Sequence, residues 1–334
     1  RGFLHARDPQ PRLAVESRFC RCLFLAPDAP GPAMNPQLVG RGIGLSVLAS
    51  SLFAFLSGYT RLLAPLDGTD IFAWRILITL LCVLGLLAWR GELPRLRAAM
   101  AELLASPARI ALLVLMAALL ALQQWLFLWG SVNGRALEVS LGYFMLPLSM
   151  VLVGRFHYGE KMDLLQRLAV LCACVGVAHE LWMTRAFSWP TLAVALGYPP
   201  YFMLRRRIRL DSMLIFAVEL MVLALPSLLA LVLSPATGPT LRTPAMWLLL
   251  PGLGILSMIA LTSYLRAGKL LPMGLFGILG YVEPVLLVLV AMAVLGESLQ
   301  LAQLGTYVPI WLSVLLTALH SVKLMRRPAV QPTN

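Results

Sequence analysis

The sequence predicts an all-α polytopic membrane protein with ten transmembrane helices, arranged as two inverted five-helix repeats. Three observations lead there: apolar runs long enough to cross a bilayer, a one-sided distribution of Lys and Arg between them, and a motif that recurs at a fixed offset. Composition sets the frame. Of 334 residues, 60% are hydrophobic and 13% charged, against about half and about a quarter in soluble domains; mean hydropathy is +0.83. A water-soluble fold of this length cannot hide so much apolar surface. In hydrocarbon every backbone N–H and C=O needs an internal partner, which leaves helices or closed barrels. The runs are about 20 residues long, not the roughly ten-residue alternating segments of a barrel, so they read as helices.

Along the chain, residues 1–33 stand apart. They carry Pro9, Pro11, Pro27, Pro30 and Pro32, with no spanning run and no h-region followed by a cleavage site. They are expected to be a disordered or non-native extension ahead of Met34. The predicted spans are 42–62, 71–89, 109–130, 137–155, 165–183, 189–204, 214–233, 246–265, 274–295 and 302–322. Short connections with turn formers, such as Pro65-Leu66-Asp67-Gly68, separate them. The first repeat is expected over 34–183, the second over 184–325, and a tail over 326–334.

Loop charges test that count. One set of alternate loops receives Arg41; Arg90, Arg95, Arg97 and Arg109; Arg155, Lys161 and Arg167; Arg205, Arg206, Arg207 and Arg209; Arg266 and Lys269; and Lys323, Arg326 and Arg327. The other set receives Arg61, Arg135, Arg185 and Arg242, a split of 17 to 4. A missed or invented span would scramble it. The positive-inside rule then places both termini in the cytoplasm of a bacterial inner membrane. The net charge of +12 thus sits where topology determinants sit and does not indicate nucleic acid.

The repeat is visible as Pro147, Gly159-Glu160 and Gln166, which recur as Pro284, Gly296-Glu297 and Gln303, each 137 residues later. Ile71-Phe72-Ala73 likewise recurs as Ile215-Phe216-Ala217. Five spans is an odd number, so the second half crosses the membrane in the opposite sense. Inverted repeats are an architecture of secondary carriers, with a central site between halves that exchange conformations.

Ionisable side chains inside spans are expensive, about 2.5–3.5 kcal/mol each at the bilayer centre, and they normally face the protein interior or water. Glu283 lies deepest, roughly 14 Å into the ninth span at 1.5 Å per residue, beside Pro284, which frees a carbonyl one turn earlier. It is expected either to bind a proton, a cation or an amine, or to stay neutral and hydrogen-bonded within the bundle. Arg75 and Glu138, at similar depth near the outer ends of their spans, are expected to pair or to line an outer vestibule. Glu219 is expected to face an inner vestibule or to partner a loop arginine. Gln123, Gln124, Trp125, Asn133, Tyr143 and Tyr281 are candidate pocket lining, with interhelical hydrogen bonding as the structural alternative.

Other features carry less chemistry. His179-Glu180 lacks the second His of a zincin motif and reads as an interfacial polar pair. Gly274, Gly277 and Gly280 form a stripe that admits a neighbouring helix. Pro199-Pro200 is expected to interrupt the sixth span. Glu160 and Glu297 read as acids at helix N-termini, outside the site. Cys82, Cys172 and Cys174 lie in apolar runs and behave as small hydrophobes. No metal or cofactor is expected.

Taken together, Ser46-Val47-Leu48-Ala49-Ser50, Ile71-Phe72-Ala73-Trp74-Arg75, Gln123-Gln124-Trp125-Leu126-Phe127, Asn133-Gly134-Arg135-Ala136-Leu137-Glu138, Ser140-Leu141-Gly142-Tyr143-Phe144 with Pro147, Gly280-Tyr281-Val282-Glu283-Pro284 and Gly296-Glu297 are specific. Over residues 38–325 the chain resembles the EamA-type RarD family of the drug/metabolite transporter superfamily. The resemblance implies ten helices, paired EamA repeats and cytoplasmic termini, and a permease that exports metabolites. The function expected is a secondary transporter that moves a small metabolite or drug-like solute by alternating access, as an exporter coupled to protons. A non-transporting membrane scaffold or sensor is the alternative, against which the short loops argue. An enzyme is not expected, because no nucleophile or metal constellation is present. The expected partners are the lipid bilayer, a small-molecule substrate and protons; a homodimer stays open.

Overall fold

In the computed structural model, residues 36–132, 135–185, 187–286, 288 and 301–325 are described. Residues 1–33, Asn133, Gly296-Glu297, the end of the predicted ninth span and the tail lie outside them.

The chain runs through α1 (Pro36–Tyr59), a 3-10 turn (Thr60–Leu63), α2 (Gly68–Trp89), α3 (Leu93–Leu103), α4 (Pro107–Val132), α5 (Ala136–Phe156) and α6 (Leu164–Thr184). It continues through α7 (Trp189–Arg207), α8 (Ser212–Leu233), α9 (Thr237–Arg242), α10 (Met246–Leu270), α11 (Met273–Leu279) and α12 (Leu301–Met325). Every regular element among the described residues is a helix. Eight helices are long and apolar enough to cross a bilayer: α1 with its 3-10 turn, α2, α4, α5, α6, α8, α10 and α12. The 19-residue α7 corresponds to the predicted sixth span, and α11 opens a shorter apolar helix over Met273–Leu286 where the ninth is predicted.

Local chemistry sets the helix starts. Asp67 accepts from the Asp70 N–H at 2.7 Å ahead of α2, and Asp211 from the Met213 N–H at 2.8 Å ahead of α8. Asp163 and Gln166 form a capping box at α6. The segment between the second and third spans, read from sequence as a loop, contains helix α3. Its buried Leu96, Ala99 and Leu103 recur at the spacing of one helical face and pack toward α8.

The helices pack in pairs: α1 on α10, α2 on α8 and α10, α4 on α7, α5 on α7 and α11, and α6 on α12. The predicted glycine stripe faces α5. A Cβ at Gly277 would stand 2.8 Å from the Pro147 carbonyl oxygen and 2.7 Å from Met150 Cβ, so only glycine admits the contact.

Two sequence expectations change. Pro199-Pro200 does not interrupt the sixth span; α7 is continuous through both. Pro199 denies a donor to the carbonyl four residues earlier, that of Ala195, and the Ser149 hydroxyl of α5 donates to that oxygen at 2.5 Å. Glu160 serves a different helix from the one its sequence position suggests. It accepts from the N–H groups of Met273 at 2.6 Å and Gly274 at 2.8 Å, satisfying two orphan donors at the start of α11. This contact joins the two predicted repeats.

The α6–α12 pair is pinned at both ends. Thr306 donates to Glu180 at 2.8 Å and lies 2.9 Å from His179 Nδ1. At the other end, Asp163 and His320 meet at 2.9 Å.

Replacing Ser149 by Ala leaves the Ala195 carbonyl without a donor in apolar surroundings. Thermal unfolding of the purified protein should show a loss of about 1–3 kcal/mol, the cost of an unsatisfied buried group. Asp163 adds a pH dependence. Partial burial disfavours its charge, yet the Gln166 N–H, His320 and the positive charge of Lys323 together hold its carboxyl below the ordinary Asp range. A depressed carboxyl stabilises the fold above its unfolded pKa of about 3.9, and that contribution is lost as pH falls through the folded value. Melting temperatures measured against pH should therefore show an acid-side loss in the parent that is smaller in Asp163→Asn.

Candidate functional site

A cavity of about 350 Å³ opens among α1, α2, α4, α5, α6, α7, α10, α11 and α12, with Glu180 of α6 and Tyr307 of α12 in its wall, and takes side chains from both predicted repeats. It reaches helix ends at Thr60 and Leu137 and extends inward past Arg75, Gln124, Tyr143 and Glu283 to Tyr198, Tyr264 and Phe276.

Arg75 is 9% exposed, and its Nε donates to Ser257 Oγ of α10 at 3.0 Å. No other hydrogen bond or ion pair engages its guanidinium among the described residues. Glu283 follows α11 in the same apolar helix and lines the same cavity, and among the described residues its carboxyl has no hydrogen-bond or ion-pair partner. The two charges act on each other electrostatically without forming a direct ion pair. Arg75, Glu283, Tyr143 and Tyr198 form one electrostatic group around the space. Tyr143 donates to the Gln123 carbonyl at 3.0 Å, so its ring is held in place against Phe127, 5.8 Å away edge-on.

Aromatic rings close one end. Phe202 packs on Tyr264 at 5.4 Å and on Phe276 at 4.9 Å between centroids, Tyr264 on Phe276 at 4.9 Å, and Tyr198 on Phe202 at 6.0 Å. Gly268 permits this packing, since a Cβ there would stand 2.5 Å from the Phe202 ring.

Of the residues singled out from sequence, Arg75, Gln124, Tyr143 and Glu283 come together in the cavity. The others go elsewhere. Glu138 does not meet Arg75; it pairs with Arg135 at 3.0 Å and accepts from the Ser188 hydroxyl. Gln123 is fully buried and donates to the Ala193 carbonyl of α7 at 2.8 Å. Trp125 stacks on Trp129 at 5.5 Å. Tyr281 donates to the Phe144 carbonyl at 2.7 Å. Glu219 does not line the cavity and takes the second of its two expected roles, as partner of an arginine. It bonds Arg205 at 2.6 Å, with both side chains at most 1% exposed, and Tyr201 donates to the same carboxyl oxygen at 3.2 Å.

Sequence reasoning missed Tyr198, Tyr264 and Ser257. Tyr198 directly precedes the Pro199-Pro200 pair, a signal that was available. Tyr264 and Ser257 carry no sequence mark, because helix faces toward cavity, core and lipid are all apolar here. Among the described residues no group of His, Cys, Asp and Glu is arranged to hold a metal ion. The cavity presents one unpaired cation, one unpaired carboxyl, an amide and several rings, a set suited to holding a small solute.

Comparison with known proteins agrees with this architecture. The EamA-like transporter family matches residues 40–179 and 191–319, and the chain belongs to that family. It is 49% identical over 294 residues to the chloramphenicol-sensitive protein RarD of Pseudomonas aeruginosa, covering 88% of this chain and 98% of that one. An uncharacterized transporter of Haemophilus influenzae is 34% identical over 292 residues, covering 86% and 96%. Protein RarD of Escherichia coli is 25% identical over 297 residues, covering 88% and 99%. A solved crystal structure at 20% identity superposes over 85% of this chain and 98% of its own, with a TM-score of 0.64, and shows the shared fold. The chain is a multi-span membrane protein of a transporter family.

The buried Arg205–Glu219 pair and the open Arg75–Glu283 set should separate by stability. Truncating either Arg205 or Glu219 to Ala strands a buried charge and should cost about 3–5 kcal/mol, read as a fall in melting temperature. Replacing both with apolar residues of similar volume should cost less than either single change.

Proposed function

We propose that this protein is a secondary carrier that exports a small metabolite or drug-like solute across the bacterial inner membrane by alternating access, coupled to protons. The observation that carries the reading is a cavity built from both halves, in which Arg75 and Glu283 form no ion pair with any of the described residues, with a wall of packed rings at one end. Charges left without protein partners inside a bundle are costly unless water or a ligand meets them.

Ten spans in two inverted repeats are supported by the way the contacts double up. Five-helix halves related by a pseudo-twofold axis would match α1 on α10 with α7 on α4, and α2 on α10 with α8 on α4; all four contacts occur. Tyr281 and Phe144, the two ends of one hydrogen bond, are themselves 137 positions apart, the offset of the repeat. With both termini cytoplasmic, as the loop charges favour, the ring cluster lies on the cytoplasmic side and the cavity faces the opposite one. Opening the rings while closing the helix ends near Thr60 and Leu137 would expose the same residues to the cytoplasm. That exchange is the motion a carrier needs.

Glu283 is the proposed coupling group. A lone carboxyl in a cavity shared with a fixed cation gains or loses a proton at modest cost, and its charge decides what it attracts. In proteoliposomes loaded with a panel of labelled solutes, an imposed pH gradient should accelerate flux of the cargo. Glu283→Gln should lower that flux at least about tenfold, equivalent to 1.4 kcal/mol, and remove its response to the gradient while leaving the melting temperature near the parent value. Flux with an unchanged pH response in the variant would take Glu283 out of the coupling role.

A further inference from the structure

We propose that Glu180 is a second proton-binding site of the cavity, loaded through a relay in which His179 passes a proton to Thr306 as Thr306 passes one to the Glu180 carboxyl. The inference deepens the carrier reading and rests on it only in counting this proton among those coupled to transport.

In the sequence His179-Glu180 is a polar pair near the end of an apolar run. The fold gives both side chains one common partner. Thr306 of α12 is fully buried; its hydroxyl donates to Glu180 Oε2 at 2.8 Å and lies 2.9 Å from His179 Nδ1. A hydroxyl has one proton to give. With that proton directed at the carboxylate, the threonine oxygen accepts from His179, so Nδ1 carries a hydrogen. The order is then fixed, Nδ1–H to Oγ1 and Oγ1–H to Oε2. Close packing of α6 on α12 holds it in place. A Cβ at Gly176 would stand 2.8 Å from the Thr306 carbonyl oxygen, and one at Gly305 would collide with the His179 ring.

A helix pin needs no such arrangement. At the other end of the same two helices Asp163 and His320 meet directly at 2.9 Å. Further along α12 the Thr317 and Ser321 hydroxyls return to carbonyls of their own helix one turn earlier, each at 2.8 Å. Thr306 instead stands between an imidazole and an acid, the groups that membrane pumps use to hand on protons. The transfer balances. Starting from imidazolium, the Nδ1–H bond breaks as an O–H bond forms at Thr306, and the former Thr306 O–H bond breaks as one forms at Glu180. His179 is left neutral with its hydrogen on Nε2, Glu180 becomes a neutral acid, and the same hops in reverse return the proton. Glu180 lines the cavity, and its other carboxyl oxygen has no partner among the described residues, so the acid is presented to the space. The helices α12, α5 and α11 pack on α6. Their titratable groups on the cavity side are Tyr307, which is within electrostatic reach of Glu180, Tyr143 and, just past α11, Glu283; Arg75 is the cation in the same lining. On its own element Arg185 is turned to the Trp182 ring, 5.9 Å away.

The test uses the purified full-length chain in nanodiscs and needs no solute. After a downward pH jump, time-resolved infrared spectra should show a protonated-carboxyl band that Glu180→Gln removes and Glu283→Gln keeps. In Thr306→Val and in His179→Gln the band should rise at least about tenfold more slowly, equivalent to about 1.4 kcal/mol on the barrier, and Thr306→Ser should restore the parent rate. Should the valine variant fail to fold, the rates in His179→Gln and Thr306→Ser decide. A purely structural contact predicts a lower melting temperature for Thr306→Val with the rate of the band unchanged. Absence of a Glu180 band, or a rate indifferent to Thr306 and His179, overturns the proposal. Flux in proteoliposomes separates it from the carrier reading. A Glu180 band with relay kinetics but no flux of any solute keeps the relay and refutes the carrier. Flux driven by a pH gradient in a chain without a Glu180 band keeps the carrier and refutes the relay.

Discussion

Hydrocarbon offers no hydrogen bonds, so each polar group that this chain carries into the bilayer must be met from within the chain or by whatever occupies its interior. Much of the architecture follows from that constraint. The Ala195 carbonyl, orphaned by Pro199, is met by Ser149 from the opposite half. The exposed N–H groups at the start of α11 are met by Glu160, again from the opposite half. Arg205 and Glu219 meet each other. In two of these three cases the partner lies across the proposed repeat boundary, so satisfying the backbone also joins the halves. The hydrogen bonds that make each helix viable hold the two bundles in register.

The cavity departs from this pattern by holding two charged side chains, Arg75 and Glu283, apart across one space. Interhelical polar contacts in membranes are individually modest, ~0.6 kcal/mol on average. A charge left without a partner costs several times more. An arrangement that joins one Arg–Glu pair directly and holds another apart around an open space therefore is not uniform structural packing. The ring cluster of Tyr198, Phe202, Tyr264 and Phe276 reinforces the distinction. Edge-on aromatic packing closes the space with apolar surface and few bonds across it, so the closure depends on fit and can be undone by small helix shifts.

Legibility in the sequence tracked the cost of a residue in lipid. Arg75, Glu283 and Glu219 stood out because a charge within a twenty-residue apolar run needs a reason. The sequence did not settle whether that reason was a partner or a cavity. For Glu219 the answer lies in Arg205, 14 residues earlier, which reaches it across the turn that joins α7 to α8. Glu138 was matched to Arg75 on depth alone, but depth fixes one coordinate of three, and rotation about the helix turns Glu138 toward Arg135 and Ser188 instead. Tyr264 was invisible because an aromatic ring suits lipid, core and cavity equally. The α3 helix was hidden because Arg90, Arg95, Arg97 and Arg109 mark the segment between the spans as a loop, although Leu96, Ala99 and Leu103 already had helical spacing. Proline misled in the other direction. Pro199-Pro200 signals a break only while no side chain supplies the missing donor, and Ser149 is fifty residues away in sequence but adjacent in space.

Duplication explains how one constraint yields two outcomes. The family model matches the chain twice, and under the proposed repeat corresponding positions carry different chemistry. Arg75 and Glu219 are one such pair, and Phe144 and Tyr281 are another, where a backbone oxygen from one position now accepts from the side chain of the other. Leu146 and Glu283, also 137 residues apart, both line the cavity, and of these two positions the second bears the carboxyl, while the first half adds Glu180 from α6. A strictly symmetric cavity would hold two acids or two bases facing each other, and like charges in a low dielectric repel strongly. Among its lining residues the space instead holds one cation, Arg75, with the acids Glu180 and Glu283. In the proposed carrier, two such halves would rock between states of similar energy around a space whose charged groups are unevenly placed.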